Sequence, residues 1–229
     1  MKISSEFSKN AVSYDSVNEI QNLVVTKLLS LVKEKPKNIL DLGCGSGALC
    51  KSISWEYEHF TGVDFAPGML ELHPSAPNIE AIYGNFNDAT LFDTLLTHSY
   101  DYIFSASALQ WAENLERVFQ DIKKFQTPIA LAIFTSNTFK TLNKTANLDS
   151  LLKTTEEINA LQKRYFDAHF EVVQYKLEFK SVRDMFVYMK RSGVSGSRKV
   201  LSFKETKRLM YEYPLNYLEF EVAFITSEA

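Results

Sequence analysis

The chain has 229 residues, of which 45% are hydrophobic and 23% charged, with a net charge of −3. The length suits one domain, and the composition excludes a disordered or collagen-like chain. A net charge this small, averaged over the molecule, excludes a general nucleic-acid binder.

The N-terminal stretch Met1-Lys2-Ile3-Ser4-Ser5-Glu6 is no apolar leader, and no later run approaches the ~20 apolar residues of a membrane span. A soluble cytoplasmic protein without a membrane partner is expected. Ile20, Leu23, Val24, Leu28 and Leu31 recur at helical spacing and predict a helix with one buried face. Asn38–Leu42 reads as a buried strand, entered through Pro36 and ended by glycines. Further strands are predicted at His59–Phe65, Ile79–Phe86, Tyr100–Ser105 and Pro128–Thr135. Before the last of these, Leu115, Val118, Phe119 and Ile122 mark a helix. Strands alternating with helices predict crossover connections and a parallel sheet.

The last third differs. Thr154-x-x-Glu157, Ser181-x-x-Asp184 and Ser202-x-x-Glu205 each pair a capping side chain with an acid three residues on, the signature of a helix start. Gly193 and Pro214 supply stops. Val173, Tyr175, Leu177 and Phe179 alternate with polar neighbours, and so do Leu218, Phe220, Val222 and Phe224. Each of these two strands is therefore expected to keep one wet face, as at a sheet edge. With no repeat or linker, the chain reads as a single domain with late helical insertions.

Asp41-Leu42-Gly43-Cys44-Gly45-Ser46-Gly47 follows a strand and opens a helix. Glycines here allow a sharp turn and a close ligand. Downstream, Asp64 in Gly62-Val63-Asp64 ends the next strand, where a carboxylate can accept from both hydroxyls of a ribose. Gly43-x-Gly45-x-x-Ala48 also satisfies the dinucleotide fingerprint, with Asp64 near the usual spacing of ~20 residues, so an NAD-type ligand stays open. Asp41 favours the other ligand class. A carboxylate there repels a pyrophosphate but suits the ammonium and sulfonium of S-adenosylmethionine. Cys44 and Cys50 have no second pair to complete a metal site, and they are too few for a disulfide framework. No metal is expected.

Ile39-Leu40-Asp41-Leu42-Gly43-Cys44-Gly45-Ser46-Gly47 resembles motif I of class I S-adenosylmethionine-dependent methyltransferases, and Asp64 matches their acid after strand two. The resemblance implies a Rossmann-like α/β fold: a seven-stranded, mostly parallel sheet with an antiparallel last strand, helices on both faces and a helical lid insertion. It implies S-adenosylmethionine contacts at Gln21, Asp41, Gly43, Cys44, Gly45, Gly47, Asp64, Phe65, Met69, Asn85, Phe86 and Ser105. Phe65 and Met69 are expected to flank the adenine. Where the superfamily ends strand three in Gly-Asp, this chain has Gly84-Asn85, which leaves the adenine contact to the Asn85 side chain or to Asp88.

Other segments are more specific. Phe7-Ser8-Lys9-Asn10-Ala11-x-x-Tyr14-Asp15, then Gln21, resembles the N-terminal signature of malonyl-acyl-carrier-protein O-methyltransferases of biotin synthesis. Leu109-Gln110-Trp111 resembles the end of that family's strand-four segment. Phe134-Thr135, Thr141-Leu142, Lys190-x-x-Gly193 and Tyr213-Pro214-Leu215 follow in the same order. Phe125-Gln126-Thr127-Pro128 departs from the family's usual Lys-Pro-Gly-Gly turn. The resemblance implies methyl transfer to the free carboxyl of malonate held on acyl-carrier protein, with malonyl-CoA as an alternative donor of that carboxyl. Its residue roles would be Tyr14 as catalytic and substrate-orienting group, and Gln110 and Trp111 as substrate walls. Residues 1–35 would form an N-terminal cap helix and 36–135 the cofactor core. Residues 136–215 would form the lid insertions with an edge strand, and 216–229 the last strand.

The chemistry needs little acid–base machinery, because a carboxylate is already ionised at neutral pH. The four histidines are scattered, with no ligand or triad spacing. Charge adds a separate signal. Between Lys180 and Arg208 stand nine basic and two acidic side chains, a surplus of seven that leaves −10 on the other 200 residues. Such a reversal points to an acidic partner, with Lys190, Arg191, Arg198 and Lys199 as the docking candidates and a monomeric enzyme expected. The alternatives are a methyltransferase for a small free acid of the trans-aconitate type, a non-catalytic S-adenosylmethionine-binding protein, and a dehydrogenase.

Overall fold

The computed structural model describes residues 19–192 and 202–228. Tyr14, Gly193, Arg198 and Lys199 lie outside the described residues, as do the side chains of Lys190 and Arg191.

The elements in order are α1 (Glu19–Ser30), β1 (Asn38–Leu42), α2 (Ala48–Ser52), β2 (His59–Asp64), α3 (Pro67–Leu70), β3 (Ile79–Tyr83) and α4 (Ala89–Leu95). Then come β4 (Tyr102–Ala106), a 3-10 turn (Leu109–Trp111), α5 (Leu115–Lys123), β5 (Ile129–Phe134), α6 (Lys140–Ala146) and α7 (Thr155–Tyr165). β6 (His169–Glu178), α8 (Val182–Ser192), α9 (Phe203–Glu212) and β7 (Tyr217–Thr226) complete the described chain. The seven strands lie in the order β3-β2-β1-β4-β5-β7-β6. β1 to β5 pair in parallel, and β7 runs antiparallel to both β5 and β6.

Apolar runs in the central strands follow from cover on both faces. Ile39, Phe60 and Phe104 point into a core shared with α1, α2, α6, α8 and α9. Their strand neighbours Leu40, Val63 and Ile103 point the other way, into a core shared with α4, α5 and α7. Leu115, Val118, Phe119 and Ile122 are all buried, as the spacing predicts. Both capping boxes, Thr154 with Glu157 and Ser202 with Glu205, are formed. Ser181 Oγ accepts from the Asp184 backbone at 3.1 Å, which starts α8.

Several expectations are corrected. Leu23 is 44% exposed, and Val25 takes its place among the buried residues of α1. At 100° per residue Leu23 falls on the rim of the arc centred between Val24 and Leu28. β3 stops at Tyr83 instead of reaching Phe86, and the Gly84 amide makes the last ladder bond, to the Asp64 carbonyl at 3.0 Å. β4 begins at Tyr102 and not at Tyr100. The turn from α5 to β5 holds Gln126 at φ +53, a left-handed conformation that glycine adopts at lower cost.

The largest correction concerns β7, which has no wet face. It lies inside the sheet, and β6 takes the edge. Leu218, Phe220, Val222 and Phe224 fill one core, while Ala223 and Ile225 fill the other. The polar residue behind the apparent alternation, Glu221, is itself buried. Its Oε1 accepts from Thr135 Oγ1 at 2.7 Å, Asn137 Nδ2 at 2.8 Å and Thr155 Oγ1 at 2.8 Å, and Oε2 accepts from Gln174 Nε2 at 3.1 Å. One carboxylate thus ties the turn after β5, α7 and β6 to the last strand.

Burial by itself pushes the Glu221 carboxyl up, but these donors outweigh it and hold the group below its ordinary value of 4.5. A depressed acid stabilises the fold above its ordinary pKa, and that contribution disappears as pH falls through the lowered value. Glu221→Ala is expected to cost about 2–4 kcal/mol at neutral pH, since it strands buried donors. Urea melts should show the deficit, and it should shrink in acid.

Candidate active site

The site forms where β1 and β2 end side by side. Gly43 and Cys44 donate their amides to the Val63 carbonyl at 2.8 and 3.0 Å, which folds the glycine loop over the end of β2. The Gly45 amide donates to Asp64 Oδ2 at 3.0 Å, and the Ala66 amide donates to Asp64 Oδ1 at 2.8 Å. Asp64 therefore clamps the loop that follows β1 as well as the turn after its own strand. Phe65 adds a third backbone donor, and because a carboxylate offers about four acceptor positions the group could still take a hydroxyl donor.

Two glycines are required by space as well as by backbone angle. Gly43 sits at φ +79, and a Cβ there would overlap the Ala108 methyl. Gly47 sits at φ +84, and a Cβ there would overlap Pro74 and come within 2.9 Å of His73. Ala108 is delivered by the turn after β4, where Ser107 is held at φ +63. Ser105 is fully buried and donates Oγ to the Leu42 carbonyl at 2.6 Å, tying the end of β4 to β1.

Asp41 supplies the electrostatics. It is 1% exposed, and its Oδ1 has no hydrogen-bond partner among the described residues. Burial, followed by the charge of Asp64, pushes its carboxyl up to about 8. The same burial raises Asp64, although its backbone donors offset part of the effect. Burial, with both carboxylates adding to it, lifts the Cys44 thiol well above the ordinary range, so Cys44 is an inert lining group. Two close carboxylates, one with an unmatched buried oxygen, form a site that favours a cation and disfavours a phosphate.

The remaining expected residues divide. Met69 and Phe86 are buried, and Phe86 lies beside Gly43. Phe65 is half-buried, as are Gln21 on α1, Gln110 and Trp111. Gln21 Oε1 has no partner among the described residues. Asn85 Oδ1 accepts from the Asn87 amide at 2.9 Å, and Asp88 caps α4 through the Thr90 amide at 3.0 Å, so both alternatives for the adenine contact already have local work. Gln110 lines a cavity of about 170 Å³ at the ends of β4 and β5, together with Leu109, Glu113, Phe134, Leu151 and Lys153. Trp111 stands outside its walls.

Sequence reasoning passes over Tyr83. It lies beside Asp64 in register and is 68% exposed, on the face toward which Asp64 points. Counting register from Asp64 would have found it. Lys153 carried no local signal, because only the fold brings it to the cavity.

A methyltransferase-domain family model matches residues 39–128. Two curated relatives carry the name malonyl-[acyl-carrier protein] O-methyltransferase. The one from Bacillus cereus is 24% identical over 219 residues, covering 85% of this chain and 81% of its own length. The one from Acetivibrio thermocellus is 27% identical over 224 residues, covering 84% and 78%. Among solved structures, the YcgJ protein from Bacillus subtilis aligns with a TM-score of 0.62 at 12% identity, covering 90% of this chain and 99% of that one. Haemonchus contortus phosphoethanolamine N-methyltransferase 2, solved in complex with S-adenosyl-L-methionine, aligns at 0.57 and 15% identity, covering 96% of this chain and 57% of that one.

The fold is that of the class I methyltransferases.

The site fits S-adenosylmethionine on its own chemistry. The unmatched Asp41 oxygen suits a cationic centre, the glycine cradle admits close contact, and Asp64 retains acceptor capacity for a ribose. The dehydrogenase alternative falls with the topology. Dinucleotide-binding sheets run in the order 3-2-1-4-5-6 without the antiparallel insertion of β7. Among the described residues no helix is long and apolar enough to cross a membrane.

Asp41 is held protonated well above its ordinary value of 3.8, so the fold loses stability as pH rises from the carboxylate range toward about 8. Asp41→Asn should therefore raise stability by about 1–3 kcal/mol near neutral pH and flatten its pH dependence. It should also weaken S-adenosylmethionine by about tenfold or more, since an amide cannot ionise against a bound cation as the Asp41 carboxyl can. Thermal melts across pH and calorimetric titration read the two effects separately. Gly43→Ala should cost about 2–4 kcal/mol and abolish measurable cofactor binding, because the added methyl meets Ala108 at a left-handed φ.

Proposed function

We propose that this enzyme methylates the free carboxylate of a malonyl group carried as a thioester on acyl-carrier protein, the first masking step toward pimelate for biotin. The observation that carries the reading is the ordered set of family-like segments flanking a site built for a cation. The two relatives with that name support it, since each matches more than four-fifths of this chain.

Bound S-adenosylmethionine would supply a methyl group on a cationic sulfur. The substrate carboxylate is ionised at neutral pH, so no residue has to remove a proton. What the chain contributes is alignment and exclusion of water. In this reading Asp41 and Asp64 fix the cofactor's charged and ribose portions, with Gly43, Cys44, Gly45 and Gly47 as the cradle. Phe65, Met69, Asn85 and Phe86 border the adenine, and Ser105 supports the loop from below. Gln21 meets the cofactor, and the Tyr14 hydroxyl orients the acceptor carboxylate. Gln110 and Trp111 border the substrate. Displacement forms a carbon–oxygen bond and breaks the carbon–sulfur bond, whose electron pair stays on sulfur. The basic segment carrying Lys190, Arg191, Arg198 and Lys199 attracts the acidic carrier to a monomeric, cytoplasmic enzyme.

Transfer of a labelled methyl group tests this directly. Malonyl-acyl-carrier protein should be used with a kcat/KM about tenfold or more above that for malonyl-CoA, with free dicarboxylic and tricarboxylic acids inert. Tyr14→Phe should lower kcat by about tenfold or more while cofactor affinity holds, whereas Asp64→Ala should abolish cofactor binding. Preference for a free acid would select the small-acid alternative. Cofactor binding with no transfer to any acceptor would mark a non-catalytic protein.

A further inference from the structure

α9 packs inward through Leu209 and turns its opposite side to solvent. At 100° per residue, Phe203, Lys207 and Tyr211 form a line along that outer side, with Lys204 beside it. Phe203 is 86% exposed and Tyr211 92%, the two most exposed large apolar side chains among the described residues. The acids of the helix are engaged. Glu205 Oε2 accepts from the Ser202 amide at 2.7 Å, and Glu212 pairs with Arg208 at 2.7 Å. Lys204 and Lys207 form no ion pair among the described residues.

Single exposed apolar residues need no explanation, but two aligned rings framed by unpaired ammonium groups have the composition of an interface anchor. Helical spacing alone, with Phe203 and Tyr211 on a predicted helix, reads as core contact. The structure places both rings in water, because Leu209 and Tyr213 supply the buried side of this segment. Charge selects the partner. The stripe lies at the end of the basic segment that opposes the −10 of the remaining chain, so its ammonium groups fit a surface rich in carboxylates.

We propose that the Phe203–Lys207–Tyr211 stripe, with Lys204, is the docking ridge for an acidic helix of the carrier protein. The two rings cover apolar side chains along that helix, and the lysines meet its carboxylates. This rests on the carrier-protein reading above and adds a short-range anchor to the long-range attraction of the basic segment.

Two double variants test it in the full chain, Phe203→Ser with Tyr211→Ser, and Lys204→Glu with Lys207→Glu. All four positions are exposed, so thermal melts should match the parent. Calorimetric titration with unacylated carrier protein should show each double variant binding about tenfold or more weaker. KM for malonyl-acyl-carrier protein should rise by a similar factor, while kcat, KM for malonyl-CoA and cofactor affinity stay unchanged. High salt should erase most of the lysine effect and little of the ring effect. Unchanged carrier binding in both variants would overturn the proposal. So would a parent enzyme that sediments as a dimer which the ring variant dissociates, since the stripe would then face a second copy. If the parent binds carrier through the stripe yet methylates no carrier-bound acid, the reaction reading fails and the docking ridge stands.

Discussion

Two carboxylates at the ends of adjacent strands govern this molecule. Asp64 holds the glycine loop by accepting from Gly45 and Ala66, and Asp41 lies buried beside it with one oxygen unmatched. The Asp64 clamp helps to shape the loop, while burial of Asp41, with the charge of Asp64 adding to it, destabilises the empty fold. Such strain is useful only where a positive group relieves it. The same pair that makes the site receptive to a sulfonium or ammonium makes it hostile to a pyrophosphate. Electrostatics and backbone geometry therefore select the same ligand class.

Around that pair the packing is arranged so that nothing else enters. Ala108 takes the space in front of Gly43, and Pro74 with His73 closes over Gly47. Burial keeps the Cys44 thiol far above its ordinary value, so it does not compete as a nucleophile near neutral pH. The site is rich in titratable groups, yet it has little proton-transfer chemistry to offer. That matches displacement at a methyl group, which asks for alignment more than for acid–base catalysis.

A second carboxylate, Glu221, does for the far half of the sheet what Asp64 does for the near half. Its four side-chain donors come from segments spread between Thr135 and Gln174. They lock β7 between β5 and β6 and set the frame on which α8 and α9 stand. The outer ridge of α9 thus owes its position to a polar network on the opposite side of the sheet.

Much of this was legible residue by residue. The strand at Asn38–Leu42, the glycine loop, the acid at position 64, the three capping signals and the local charge reversal all depend on neighbours close in sequence, where periodicity and turn chemistry act directly. Those features were enough to determine an α/β fold and to favour a sulfonium-type ligand over a pyrophosphate. The tertiary structure decided what depends on distant pairings. It placed β7 inside the sheet and Glu221 out of water, although alternation predicted a wet face. It left Leu23 exposed and buried Val25, brought Tyr83 beside Asp64, and turned Phe203 and Tyr211 outward where helical spacing predicted core. Periodicity tells which residues share a face, but only the partner element tells whether that face meets protein or water.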